Sequence, residues 1–92
     1  MMYQQNEVIY ERIDNIGYIM REHNGIPDLR KVITLNPVAA DIWEYMQEPV
    51  TANDVTLAIY RKYEGDYATI VTEVNEFIKQ LIDQELIVCI ND

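Results

Sequence analysis

Apolar and polar residues alternate over two short stretches near the beginning of the chain, residues 7–13 and residues 16–22. A period of two is that of a β-strand, because successive side chains point to opposite faces of a sheet. The two residues between the stretches, Asp14 and Asn15, are typical of tight turns. The pattern therefore predicts a β-hairpin.

A third short stretch, residues 31–35 (KVITL), is apolar and rich in β-branched residues, and it predicts a third strand. We place this strand at the edge of the sheet, because no later strand of similar length is available to cover it. The segment before it, residues 23–30, contains Asn24, Gly25 and Pro27 and predicts a loop.

The first helix has recognisable boundaries. Asn36 can cap it by accepting a backbone N–H of the first turn, and Pro37 suits the first helical position, where a missing N–H leaves no bond unmade. We predict a helix over residues 37–47 that ends before Pro49. Its apolar side chains fall on one face and are Ala39, Ile42, Trp43 and Met46.

Two further helices follow. The second is predicted to begin at Thr51, which can form a capping box with Asp54, and to end at Gly65 in a left-handed conformation. The third begins at Asp66 or Thr69. Apolar residues recur in it at spacings of three and four and define one helical face, formed by Ile70, Val74, Phe77, Ile78, Leu81 and Ile82.

An apolar piece at residues 86–90 predicts a closing strand. Together these elements predict an α+β fold of winged helix-turn-helix-like type, with a three-stranded antiparallel sheet followed by a three-helix bundle. A chain of 92 residues has room for one hydrophobic core. We therefore expect a single domain over residues 1–92.

Composition narrows the range of partners. The chain has 16 acidic and 7 basic residues, which gives a formal net charge of −9. Such a surface repels nucleic-acid phosphates and anionic lipids, so we expect neither nucleic acid nor a membrane as a partner. The predicted architecture still keeps an acidic winged-helix transcriptional regulator as an alternative. The chain shows no signal-peptide pattern and no bilayer-spanning stretch, which predicts a cytoplasmic protein.

Few residues offer catalytic chemistry. His23 is the only histidine and falls in the predicted loop, and Cys89 is the only cysteine. The chain has neither a glycine-rich phosphate loop nor a nucleophile motif. We expect no enzymatic activity, no cofactor and no metal site. We also expect Cys89 to be a buried apolar residue.

The predicted edge strand is the feature that suggests binding. Proteins normally protect an apolar edge with charge or proline, because its unpaired backbone groups invite further strands. A free edge beside an apolar helix face can add an extended peptide as a further strand. The same edge can instead be covered by the N-terminal residues, by the C-terminal tail or by a second copy of the chain, which would make a homodimer.

The order of the elements carries a resemblance. A strand that ends at Leu35, the Asn36 cap, a helix containing Ile42 and Trp43, and a second helix that opens at Thr51 together resemble the family of pyrroloquinoline-quinone synthesis protein D (PqqD). Members of this family bind the leader of a ribosomally made precursor peptide. They present the precursor to a modifying enzyme, which is a radical S-adenosylmethionine enzyme or a leader peptidase.

The resemblance implies a non-catalytic peptide chaperone that adds the leader as a β-strand between its last sheet strand and its third helix. It leaves open which peptide pathway the chain serves, and an enzyme-docking module stays as an alternative. Carried over to this chain, the implied peptide-binding residues are Lys31, Val32, Ile33, Thr34, Leu35, Ile70, Val74, Phe77 and Ile78.

Overall fold

The computed structural model describes residues 1–90 of the chain. Five strands form two antiparallel sheets, one with the strand order β2-β3-β4 and one with β1 paired to β5. Three helices lie between β4 and β5 in the chain. The elements are β1 (Met2–Gln5), β2 (Ile9–Ile13), β3 (Ile16–His23), β4 (Ile26–Leu35), α1 (Pro37–Tyr45), α2 (Ala52–Tyr63), α3 (Tyr67–Asp83) and β5 (Ile87–Ile90).

The predicted β-hairpin is confirmed. Ile13 pairs with Ile16, so β2 and β3 are joined by a two-residue turn. Asp14 and Asn15 both have positive φ angles, of 50° and 70°. Positive φ at both central positions is the geometry that matches the twist of the strands, and Asp and Asn adopt it more readily than most residues.

The predicted loop over residues 23–30 is wrong. Only Asn24 and Gly25 form a turn, with φ angles of 54° and 80°, and β4 already begins at Ile26. Pro27 lies inside β4 and pairs with Glu22. A proline is tolerated here because β4 is an edge strand, where one row of backbone groups faces away from the ladder.

The pairing of β3 with β4 shifts in the middle of the strands. Met20 pairs with Val32, but the next residue, Arg21, pairs with Asp28. Residues 29–31 therefore have no partner on β3 and form a β-bulge. A bulge bends the strand and redirects its side chains.

The helix caps at Asn36 and Thr51 are those that the sequence predicts. Asn36 accepts the Ala39 N–H at 2.8 Å, and Thr51 and Asp54 form the capping box. The third helix begins after Asp66, the first of its two predicted starts. The predicted end of α2 is wrong by one residue, because Glu64 rather than Gly65 takes the left-handed conformation, with φ of 51°.

The core lies between the helices and one face of the three-stranded sheet. It buries Ile19 and Leu35 of the sheet against residues from all three helices. Leu86 and Ile87, at the start of β5, complete it.

Cys89 is exposed, so its predicted burial is wrong. None of the helices in residues 1–90 combines the length and the apolar character needed to cross a bilayer.

The predicted order of a three-stranded sheet followed by three helices is incomplete. β1 precedes that sheet and β5 follows the helices, and these two strands pair through four residue pairs from Met2 with Ile90 to Gln5 with Ile87. A single bridge between Tyr3 and Val50 attaches β1 to the segment before α2. The pairing brings the two ends of the described chain together.

Candidate functional site

The outer edge of β4 is unpaired in the described part of the chain. β4 is the last strand of its sheet, and its only ladder is with β3. β1 and β5 pair with each other in a separate sheet. Within residues 1–90, neither terminal segment covers the edge. Of the three possible covers named in the sequence analysis, only a second copy of the chain therefore remains to be tested.

A groove of about 340 Å³ lies beside this edge, between β4 and α3. Its side chains come from three directions: the end of β4, one face of α3 and the turn into β5. The main contributors are Ile33, Thr34, Leu35, Phe77, Gln80, Gln84 and Leu86.

The groove continues into a second depression between α1 and α3. Asn36, Ala39, Phe77 and Gln80 line both, so the two form one continuous cleft. The second part is walled by Val38 and Ile42 on α1 and by Glu73 and Glu76 on α3. The cleft is therefore lined by both apolar and uncharged polar side chains, and it is acidic along one rim.

The sequence-predicted residues of β4 divide between the two faces of the strand. Ile33 pairs with Ile19, whose side chain is fully buried, so both lie on the face toward the helices. Val32, next in the strand, is exposed on the opposite face. Lys31 belongs to the bulge. All five predicted positions, residues 31–35, lie on the unpaired edge strand.

The sequence-predicted residues of α3 are not equally placed. Phe77 is half-buried and lines both parts of the cleft. Ile70, Val74 and Ile78 are at most 7% exposed and belong to the core. Their side chains hold α3 against the rest of the protein, which removes them from the surface of the groove.

Several groove residues were not predicted. Gln80 follows Phe77 by three residues, and Gln84, the C-cap of α3, follows Gln80 by four, so all three lie on one side of the helix, beside the buried apolar stripe. The spacing could have indicated these two residues. However, polar residues on a helix are ordinarily solvent-exposed, so their presence alone does not indicate a binding site. Leu86 comes from a part of the chain that folds back onto β4, which no local pattern reveals.

A polar cluster lies outside the cleft, where β2, α1 and α2 meet. Asp41 is buried and contacts Arg12 at 2.8 Å, Lys62 at 3.0 Å and the Tyr63 hydroxyl. Burial alone would raise the pKa of Asp41. The hydrogen bonds from Tyr63, Arg12 and Lys62 outweigh burial, so its pKa lies below the ordinary value.

Glu44 extends this cluster toward the sheet. It accepts hydrogen bonds from the Tyr10 hydroxyl at 2.5 Å and from Arg12 at 2.9 Å. Burial, together with the hydrogen bond to Glu44, raises the pKa of Tyr10 to about 12. Every charged member has a partner of opposite charge, which suits a structural role. In residues 1–90, no three His, Cys, Asp or Glu side chains are grouped so that they could hold a metal ion.

Comparisons with known proteins agree with this architecture. The family model described as "Coenzyme PQQ synthesis protein D (PqqD)" matches residues 19–87. A solved structure, "TbiB1 in Complex with the TbiA(beta) Leader Peptide", superposes with a TM-score of 0.78 at 21% sequence identity and covers 97% of this chain and 99% of that one. No curated protein matches the chain. The matched residues include β4, α3 and the whole of the cleft between them.

Proposed function

The chain belongs to the PqqD family, and we propose that it is a peptide-binding domain that holds the leader of a ribosomally made precursor peptide. Membership of this family supports the proposal. So does the similar fold of TbiB1, a protein whose structure contains a leader peptide. At 21% identity that likeness shows the fold alone, so the binding proposed for this chain depends on the features of its own cleft.

The observation that carries the proposal is the unpaired edge of β4 beside a groove whose lining includes Ile33, Leu35 and Phe77. A peptide that pairs with residues 31–35 gains backbone hydrogen bonds that do not depend on its sequence. Alternate side chains of such a peptide point toward the helices and enter the groove beside Ile33, Leu35 and Phe77. Ile70, Val74 and Ile78 contribute by holding α3 in place from the core side.

The free energy of peptide binding can be estimated to an order of magnitude. Burying two large apolar side chains of the peptide contributes about 3–6 kcal/mol. Each edge hydrogen bond adds about 1 kcal/mol net. Association and the ordering of a flexible peptide offset much of this gain. A dissociation constant near the micromolar range, about −8 kcal/mol, is the expected result.

We further propose that the domain, taken as one unit over residues 1–92, catalyses nothing itself and presents the bound precursor to a modifying enzyme in the cytoplasm. A radical S-adenosylmethionine enzyme and a leader peptidase both suit this role, because either acts on a precursor held by its leader. Strand addition leaves the remainder of the precursor outside the cleft, where a second protein can reach it.

A second copy of the chain is the competing occupant of the edge. Ile26 and Leu29 on β4 are 68% and 72% exposed, and Val32 is exposed beside them. Exposed apolar residues on an unpaired strand favour edge-to-edge pairing. Sedimentation at micromolar concentration distinguishes the two occupants. An edge that is free to bind peptide predicts a monomer, and an edge covered by a second copy predicts a dimer that dissociates when peptide is added.

Nucleic acid does not fit the cleft. In a winged helix-turn-helix reader of DNA, α3 would enter the groove of the duplex, and it would need Arg or Lys there. The rim of α3 instead presents Glu73 and Glu76. We therefore propose that the protein does not bind DNA, and salt-sensitive, saturable binding to a duplex would contradict this.

The test of the proposed function is fluorescence anisotropy with labelled leader peptides of ribosomally made precursors from the same genome. We expect saturable binding to the leader and none to a scrambled peptide of the same composition. Phe77→Ala should weaken binding at least about tenfold, by loss of apolar contact. Asn75→Ala, exposed on the opposite side of α3, is the matched control. Equal affinity for leader and scrambled peptide would contradict the proposal.

A further inference from the structure

A concentration of positive charge lies at the bulge end of β4. Arg21, Asp28, Arg30 and Lys31 line a pocket of about 370 Å³. Three of the seven Lys and Arg residues of the chain meet here, although the net charge is −9. A cleft for a peptide does not by itself require this pocket.

One of the three cations is neutralised within the pocket. Arg30 contacts both carboxylate oxygens of Asp28, each at 3.0 Å. This contact lowers the pKa of Asp28 to about 2, so the carboxylate is ionised at neutral pH and the pair carries no net charge. A two-pronged Arg–carboxylate contact is a strong and directional one.

The other two cations keep their charge. Arg21 donates to the backbone carbonyl of Gln84, which is a dipole and not a counterion. Lys31 is exposed and forms no ion pair within residues 1–90. The pocket therefore presents two uncompensated positive charges to whatever lies beside the bulge.

The pocket is aligned with the groove. Arg21 is two residues from Ile19 on β3, so both point toward the helices, as does Ile33 of β4. Gln84, whose carbonyl Arg21 contacts, lines the groove. The lining beside the edge strand thus changes from uncharged residues to cationic ones along its length. Lys31, at the edge of the bulge, is four residues from Leu35, which is at most about 13 Å at the rise of a regular strand.

We propose that this pocket binds a side-chain carboxylate of the same peptide that occupies the groove. The inference rests on the proposed function and narrows its substrate class to extended peptides with an Asp or Glu about four residues from an apolar anchor. Arg21 and Lys31 supply the complementary charge, and Arg30 holds Asp28 away from the incoming acid. Charges at the end of a binding groove chiefly set selectivity and association rate.

The test uses a display library of random twelve-residue peptides selected on the immobilised protein. We expect the enriched peptides to share an Asp or Glu at a fixed distance from an apolar residue. In one enriched peptide, changing that acid to its amide should weaken binding about tenfold, the usual effect of losing one hydrogen bond between charged groups. The same selection is run on Lys31→Glu, which reverses one uncompensated charge. Arg61→Glu reverses an exposed charge near the end of α2 and serves as the control.

Lys31→Glu leaves Arg21 balanced by the new carboxylate, so the acidic preference at that position should be lost, while Arg61→Glu should keep it. Circular dichroism melting confirms that both variants are folded. Enriched peptides that lack a positioned acid, or an acidic preference that survives in Lys31→Glu, would overturn this inference and leave the proposed function standing. If no peptide that competes with the leader is enriched, the proposed function itself fails, and the carboxylate pocket fails with it.

Discussion

Arg12 on β2 and Asp41 on α1 form an ion pair with a distance of 2.8 Å between Nη1 and Oδ1. The carboxylate is only 4% exposed, whereas the guanidinium lies at the protein surface with 24% exposure. Lys62 and Tyr63, from the end of α2, contact the same carboxylate. A single acidic side chain therefore connects the three-stranded sheet with the first two helices.

The first prediction is that Asp41→Asn destabilises the fold. The amide keeps the shape of the side chain but leaves Lys62 without its counterion and Arg12 with Glu44 alone. We expect a loss of about 3 kcal/mol, at the low end for breaking a buried ion pair, because both cations are partly solvated. Urea unfolding measures it. Glu48→Gln, in the exposed segment after α1, is the control and should change stability by less than about 0.5 kcal/mol.

The second prediction concerns how the stability of the fold changes at acidic pH. The folded-state pKa of Asp41 is lowered, so its contribution is complete above the unfolded-state pKa of about 4 and is lost as the pH falls through the folded value. The stability gap between the wild type and Asp41→Asn should be constant from pH 7 to pH 5 and should narrow below pH 4. A gap of the same size at pH 7 and pH 2.5 would show that the charge of Asp41 does not contribute.

The third prediction concerns the start of α2. Thr51 accepts the Asp54 N–H at 3.1 Å, and the Asp54 carboxylate accepts the Thr51 N–H at 3.3 Å. Thr51→Ala should cost about 1 kcal/mol of stability, the usual loss on removing a cap. Leader affinity should stay unchanged, because α2 lies away from the cleft. Thr72→Ala, exposed within α3, should be neutral or slightly stabilising in the same denaturation experiment.

Features set by neighbouring residues could be predicted from the sequence. The Asp14–Asn15 turn depends on two residues that adopt positive φ readily, and the Asn36 and Thr51 caps depend on side chains that accept backbone N–H groups three residues away. The edge position of residues 31–35 is also predicted, from the lack of a later strand of similar length. That the edge is unpaired within residues 1–90 depends in addition on the distant pairing of β1 with β5, which the sequence does not reveal. These local features sufficed to indicate the family.

Features set by distant contacts could not be predicted. β1 has only four residues, two of them glutamine, and its pairing with β5 joins residues at opposite ends of the chain. Asn24, Gly25 and Pro27 look like a loop, yet the strand continues through the proline because the sheet ends there. Within the site, a three- and four-residue spacing could not distinguish Phe77, which lines the cleft, from Val74, which faces the core.

The fourth prediction separates those two side chains. Val74 is 1% exposed, so Val74→Ala should mainly lower stability, by about 2 kcal/mol, through the cavity it leaves. Phe77→Ala should mainly lower leader affinity, because the ring is half-buried at the cleft. Denaturation and anisotropy, measured on both variants, check the pair. A Val74→Ala variant of normal stability with lost affinity would mean that a different face of α3 meets the peptide.

Amide chemical-shift mapping tests the central claim most directly. The ¹⁵N-labelled protein is titrated with a leader peptide that binds in the anisotropy assay, and cross-strand nuclear Overhauser contacts are recorded for the complex. Strand addition predicts the largest shifts at residues 31–35 and around Phe77, with contacts between peptide backbone protons and those of β4. Shifts confined to α1, or a saturated complex in which residues 31–35 do not respond, would contradict strand addition at β4.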